Sequence, residues 1–398
     1  MIAFSQAATQ MRSSEIRRLM KLAADPAIIS FAGGMPNNSL FPVEQVDELM
    51  RRIALEHKQA GFQYSPTSGY PPLLDTVRAL LRKKRIKVEN GALLITTGAQ
   101  QAINLVTKVL CDPGDRIITE YPSFIGALAA FKSYGADTGE GLALSSDGID
   151  PAELDAALAA GGDRVKLVYL NTHFHNPAGI TYTPQKKQAL ISVLENHNVV
   201  VLEDDPYGDL YFEDESKRLV TPLAALSEGT VPVCYAGSFS KIFGPGMRLG
   251  FLWGPAELIE KCELAKQSMD ACSGAFTQVL AHYFCSWGYL EPYLEKLRRA
   301  YRHRATLLLE ALNASMPQEV GWTIPRGGFY VWVTLPQAID ASAVFDSSLS
   351  HGAAFVIGNA FDPSGSRNDC LRLAFSHTPE EKIETGVGII AAAVKKLM

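Results

Sequence analysis

Apolar residues recur along this chain with two different periods. Between residues 91 and 254, short runs of β-branched and aliphatic residues (ALLITT, RIITE, RVKLVYL, NVVVLED, VPVCYAG and LGFLWG) alternate with longer stretches such as AQQAINLVTKVLC and PQKKQALISVLENH, whose apolar positions return every three or four residues. An unbroken apolar run suits a strand covered on both faces, and the longer period suits an amphipathic helix. The alternation predicts βα units around a mostly parallel sheet. Residues 255–315 read as helix, including EPYLEKLRRAYRHRATLLLEALNASM, which bridges to a smaller α+β unit. There GGFYVWVTL, AAFVIG and CLRLAF read as strands, and TPEEKIETGVGIIAAAVKKLM as a closing helix whose basic end suits its dipole. At the other end, MRSSEIRRLMKLAADPAIISFAGGMPNNSLFP passes from an amphipathic helix through a short apolar run into a Gly, Pro and Asn loop, an arm expected to pack on another element. The expected boundaries are an arm with a small-domain segment at 1–45, a large domain at 46–290 and a C-terminal small domain at 291–398.

Composition narrows the function. With 398 residues, 47% of them hydrophobic, the chain can bury a core of enzyme size. Its 20% charged residues and net charge of -5 favour neither disorder nor a polyanion partner, so no nucleic acid is expected. The six cysteines lack CxxC spacing, and the N-terminus lacks a basic segment followed by an apolar run, which together predict a reduced, cytoplasmic protein. No apolar window reaches the roughly 18 residues of a spanning helix, so no membrane is expected.

The chemistry concentrates in SFSKIFGPGMRLGF at 238–251, where Lys241 sits among Phe239, Ile242 and Phe243, with Arg248 seven positions on. A solvated ammonium gains nothing from such neighbours, so the lysine is expected in a site. Nucleotide signatures fail: there is no GxxxxGK[ST], and GPGMRLG has the wrong final glycine spacing for GxGxxG. His173 and His175 in HFH lack partners at ligand spacing, so no metal is expected. A cofactor needing one amine, one opposing acid and a phosphate cradle fits better. TTGAQQ at 96–101, YPSF at 121–124, HNPAG at 175–179, EDDPYG at 203–208 and SFSK at 238–241 fall in order at predicted strand ends, where open α/β sheets bind ligands.

Those motifs, together with ISFAGGMPNNSLFP, QYSPTSGYPPLL, GNAF and LRLAFS, resemble the fold-type I pyridoxal-phosphate aminotransferases of the class I/II superfamily, most of all their kynurenine and 2-aminoadipate branch. The resemblance runs almost end to end. It implies an α/β fold in which a large domain holds a mostly parallel seven-stranded sheet flanked by helices, beside a smaller α+β domain. It also implies pyridoxal 5'-phosphate and a ping-pong transfer of an amino group from an L-amino acid to a 2-oxo acid such as 2-oxoglutarate. The implied donors are 2-aminoadipate, kynurenine, aromatic or broad.

Carried over residue by residue, the resemblance makes Lys241 the Schiff-base amine, since a Schiff base needs a neutral amine and burial near cations depresses a lysine's pKa. Arg248, Ser238 and Ser240 would hold the phosphate, with the backbone of Gly98, Ala99 and Gln100 where a strand passes into a helix. Asp204 would face the pyridine nitrogen. Asp205 competes, but the family pattern places a tyrosine three residues after the acid, which selects Asp204 with Tyr207. Tyr207 and Asn176 would reach the ring oxygen, and Phe124 would stack on the ring where the branch usually carries a tyrosine. Arg372 would grip the substrate α-carboxylate, with Asn176, Gly34 and Asn359 on the substrate side. Tyr64 matches a tyrosine that reaches the phosphate of the partner subunit, implying a homodimer. Two other readings compete. A pyridoxal-phosphate lyase or cyclase would use the same lysine and acid, and an aminotransferase-like regulator would carry an N-terminal DNA-binding module, whereas here the aminotransferase pattern begins within the first tens of residues.

Overall fold

The computed structural model describes residues 2–4, 9, 25 and 27–398; the amphipathic helix expected at the start of MRSSEIRRLMKLAADPAIISF lies outside the described residues. After a two-residue strand, β1 (Ile29–Ser30), the large sheet is built from β2 (Ala92–Thr96), β3 (Arg116–Tyr121), β4 (Leu142–Ser145), β5 (Gly148–Ile149), β6 (Val165–Leu170), β7 (Val200–Asp205), β8 (Val233–Ser238) and β9 (Gly250–Gly254). Their order is β2-β9-β8-β7-β6-β3-β4-β5. β8, β7, β6, β3 and β4 run parallel, while β9 lies antiparallel between β2 and β8.

The reason for the unbroken apolar runs is visible in β6. Leu167 and Tyr169 pack into the core layer on one face of the sheet, and Val168 and Leu170 into the layer on the other, all four completely buried. Full burial of such a side chain stabilises the fold by roughly 1.5–3 kcal/mol. The covering helices start on local signals. Asp150 accepts a hydrogen bond from Ala152 N ahead of Pro151–Gly161, and Thr183 from Lys186 N ahead of Pro184–Leu194, each with proline entering the first turn. The sheet has eight strands where seven were expected. The extra one, β5, is the short return of a hairpin with β4, and two residues are too few to show a period.

The second sheet holds β10 (Gly321–Trp322), β11 (Tyr330–Thr334), β13 (Val356–Ile357) and β14 (Cys370–Ala374) in the antiparallel order β10-β11-β14-β13. The run AAFVIG is split. Its first half, β12 (Ala353–Ala354), pairs in parallel with β1, so the arm joins this part of the molecule. The closing helix Glu380–Leu397 begins on two glutamates and ends on Lys395 and Lys396, as its dipole favours. Among the described residues, no helix is long and apolar enough to cross a membrane.

Candidate active site

Lys241 stands on the connection between β8 and β9. That connection is closed at its base by the Ser238–Gly250 register and by Phe239 N donating to the Leu249 carbonyl at 3.0 Å. Phe239, Ile242 and Phe243 are buried and anchor the loop from below. The lysine, half-buried, lines a cavity of about 300 Å³, where its Nζ donates to the Gly34 carbonyl at 3.0 Å. Removal from water, reinforced by the Arg372 and Arg248 guanidiniums, pushes its pKa down to about 8. A usable fraction of the amine is therefore neutral near physiological pH.

Asp204 ends β7 on the same cavity. Its Oδ2 accepts from the Tyr169 hydroxyl at 2.8 Å and its backbone carbonyl from Asn171 Nδ2 at 2.9 Å, while Oδ1 is buried with no partner among the described residues. Burial pushes the carboxyl up to about 7, the Tyr169 hydroxyl opposing and the nearby Asp205 and Glu120 carboxylates reinforcing. Because side chains alternate along a strand, Asp205 turns the other way. It accepts from Gly208 N at 2.7 Å and the Tyr235 hydroxyl at 2.6 Å, with His173 Nδ1 at 3.0 Å and Lys84 Nζ at 3.8 Å. Burial opposes its ionisation, but His173 and Lys84 together hold it well below the usual carboxylate range. Asp205 is a structural anion, and only Asp204 faces the cavity.

Arg372 reaches the opposite wall from β14. It is buried, its Nη1 donating to Asn176 Oδ1 at 2.9 Å and its Nη2 to the Ala32 carbonyl at 2.6 Å, with the guanidinium 4.5 Å from the Tyr330 ring centre. Its Nε has no partner among the described residues. The Tyr207 and Tyr330 hydroxyls are 2.8 Å apart. Gly34 must be glycine, since a Cβ there would come 2.0 Å from the Tyr330 oxygen.

The third wall is an anion cradle. Gly98, at φ 77, ends the turn after β2 and opens the helix Ala99–Leu110 without a side-chain cap, so Ala99 and Gln100 line the cavity at the positive end of that helix. Arg248, itself left-handed at φ 49, lies so close that a Cβ on Gly98 would meet its Nη2 at 3.0 Å. Ser238 and Ser240 complete this side, Ser240 N donating to Ser238 Oγ at 3.1 Å, and Phe124 lines the cavity as well.

The structure thus brings thirteen of the residues singled out from the sequence around one cavity: Gly34, Gly98, Ala99, Gln100, Phe124, Asn176, Asp204, Tyr207, Ser238, Ser240, Lys241, Arg248 and Arg372. Tyr64 is not among its linings and is 82% exposed, and Asn359 is also exposed and outside it. Sequence reasoning missed Tyr169, Asn171 and Tyr330. Tyr169 lies in the run RVKLVYL and Tyr330 in GGFYVWVTL, both read only as strands, and Asn171 follows directly on the first of these.

The profile of the family described as aminotransferase class I and II matches residues 32–390. The chain belongs to that family. It is 36% identical to aromatic-amino-acid aminotransferase 1 of Thermococcus litoralis, over 99% of this chain and 94% of the relative. It is 38% identical to the 2-aminoadipate transaminase of Thermus thermophilus, over 100% and 97%. Among solved structures, kynurenine aminotransferase of Pyrococcus horikoshii, in complex with PMP, KYN and KYA, superposes with a TM-score of 0.94 at 36% identity, covering 99% of this chain and 97% of that one. This family member is a fold-type I aminotransferase dependent on pyridoxal phosphate. Its cavity fits the cofactor: the orphaned Asp204 Oδ1 awaits a hydrogen-bond donor, and the uncapped helix beside Arg248 suits a phosphate.

Proposed function

We propose that this aminotransferase takes its amino group from 2-aminoadipate, kynurenine or an aromatic L-amino acid, with broad tolerance, and passes it to a 2-oxo acid such as 2-oxoglutarate. The names of its relatives support that donor class. The observation that carries the site reading is the meeting of a lysine of depressed pKa, a buried carboxylate with a free oxygen and a buried arginine in one cavity. When bound, pyridoxal phosphate supplies an aldehyde carbon and a ring able to take up negative charge from the amino acid's Cα.

The chain's residues then divide the work. Gly98, Ala99, Gln100, Ser238, Ser240 and Arg248 would hold the phosphate, Asp204 the ring nitrogen, Asn176 and Tyr207 the ring oxygen, and Phe124 a ring face. Arg372 would receive the substrate carboxylate in a two-point grip, fixing which bond at Cα stands ready to break. Lys241, neutral in part near pH 8, would carry the proton that leaves Cα. Gly34 would lie toward the substrate. Tyr64, exposed in the single chain, would reach the phosphate of a second copy in a homodimer, and the protein would work in the cytoplasm.

The test is a half-reaction screen. Purified protein loaded with pyridoxal phosphate is mixed with single amino acids, and its visible spectrum is followed without an acceptor. The expected donors convert the chromophore stoichiometrically, whereas a lyase would release product without that conversion accumulating. Lys241→Ala should lower turnover by more than a thousandfold; retained turnover would refute the assignment of Lys241.

A further inference from the structure

Glu120, near the end of β3, is completely buried, and among the described residues no lysine or arginine lies within ion-pair distance of it. It does not itself line the cavity, yet three donors converge on it. Its Oε2 accepts from Asn171 N at 3.0 Å and lies 3.1 Å from His175 Nε2; its Oε1 accepts from the Tyr182 hydroxyl at 2.6 Å. The histidine's tautomer follows from its other nitrogen. His175 Nδ1 accepts from Ala178 N at 3.1 Å, so the ring proton sits on Nε2 and is donated to Glu120.

The first two donors belong to different edges of the site. Asn171, held through its backbone, spends its side-chain amide on the carbonyl of Asp204 at 2.9 Å. His175, held through its ring, immediately precedes Asn176, whose Oδ1 accepts from Arg372 at 2.9 Å. One carboxylate oxygen therefore fastens both the acid and the carboxylate-binding pair, through Asn171 and His175 on the segment that follows β6. A buried anion without a cation is costly to keep unless its hydrogen bonds are complete, and here they are.

We propose that Glu120 is a positioning residue that holds Asp204 and the Asn176–Arg372 pair in register across the cofactor cavity. The inference rests on the reading of the cavity given above. Glu120→Ala removes the shared anchor. The expected result, in protein that still folds with a lowered thermal midpoint because three buried donors lose their acceptor, is that pyridoxal phosphate added to the cofactor-free protein binds about tenfold more weakly and that the donor KM rises by about tenfold. Glu120→Gln keeps one oxygen for Asn171 and His175 and turns its NH2 toward the rotatable Tyr182 hydroxyl, so both constants should stay within about threefold. His175→Ala cuts only one branch: the donor KM should rise about fivefold with cofactor affinity within about twofold. Tyr182→Phe, which removes the third hydrogen bond and reaches neither edge, should move neither constant by more than about twofold.

Unaltered constants in folded Glu120→Ala would overturn the proposal, as would a Glu120→Gln defect equal to that of alanine. If Glu120→Ala does not fold, an unchanged donor KM in His175→Ala overturns it equally. Either outcome, in a protein that Lys241→Ala inactivates, sinks this inference alone; turnover surviving Lys241→Ala sinks the reading beneath it.

Discussion

At the scale of single residues, the cavity sets two ionisable groups against their ordinary chemistry: burial raises Asp204 to about 7 and lowers Lys241 to about 8. In the cofactor-free protein the two have different stability signatures. A carboxyl whose folded pKa lies above its unfolded value contributes stability that is complete below about pH 4 and is lost as pH rises through about 7. The lysine, lowered by folding, contributes stability that is complete above about pH 10.5 and already gone across the range from 5 to 7. Denaturant unfolding of the cofactor-free protein should therefore show stability falling from pH 5 to 8, by at most about 3 kcal/mol, the part of the shift that lies above pH 5. Asp204→Asn should flatten that fall; an equal slope in the variant would show that Asp204 is not its source. The candidate residues themselves were legible because each sits in a short motif with a turn or strand end beside it. Tyr169 was not, since a tyrosine in an apolar strand looks like core until the strands are laid side by side and its hydroxyl meets Asp204.

At the scale of elements, the phosphate cradle depends on how closely β9 passes the turn after β2. A Cβ on Gly250 would come 2.7 Å from the Gly98 carbonyl carbon and 2.8 Å from Ala99 N, both backbone atoms with no freedom to step aside. Gly250→Ala should therefore weaken cofactor binding by tenfold or more and cost roughly 1–3 kcal/mol of stability. Gly246→Ala, in the connection that leads into β9 and with no described atom within 4 Å of the added Cβ, is the control and should do neither. A titration of cofactor-free protein with pyridoxal phosphate, alongside thermal melts, measures both. The strands of the large sheet were readable because burial on two faces imposes an apolar run on the chain. The two-residue strands β1 and β5, and the division of AAFVIG at Phe355, were not. Two residues carry no period, and whether such a stretch pairs depends on which distant backbone lies alongside it. The hydrogen bonds gathered at Glu120 join residues 51 to 62 positions apart and leave no mark on any local pattern.

At the scale of the whole molecule, the cavity is assembled from the arm at Gly34, the large sheet at Lys241 and Asp204, and the small sheet at Arg372, so neither sheet alone presents a complete site. β1 pairs with β12 in a two-stranded sheet of its own, and Ala374 N of β14 donates to the Phe31 carbonyl at 2.8 Å, so the arm runs beside the small sheet. Leu55, Phe62 and Tyr64 are 79%, 73% and 82% exposed in the single chain, and that apolar exposure close to QYSP supports the proposed pairing of two copies. If Tyr64 serves the neighbour's phosphate, mixing inactive Lys241→Ala chains with weakened Tyr64→Phe chains should raise activity above that of Tyr64→Phe alone, because each hybrid holds one site with both an intact amine and an intact tyrosine. Activity equal to the separate contributions would exclude that arrangement. Since the strands on either side of Lys241 are zipped together beneath it, the backbone at 241 is a fixed post. Whatever distance the amine must travel during a catalytic cycle has to come from rotation about the four carbon–carbon bonds of its own stem.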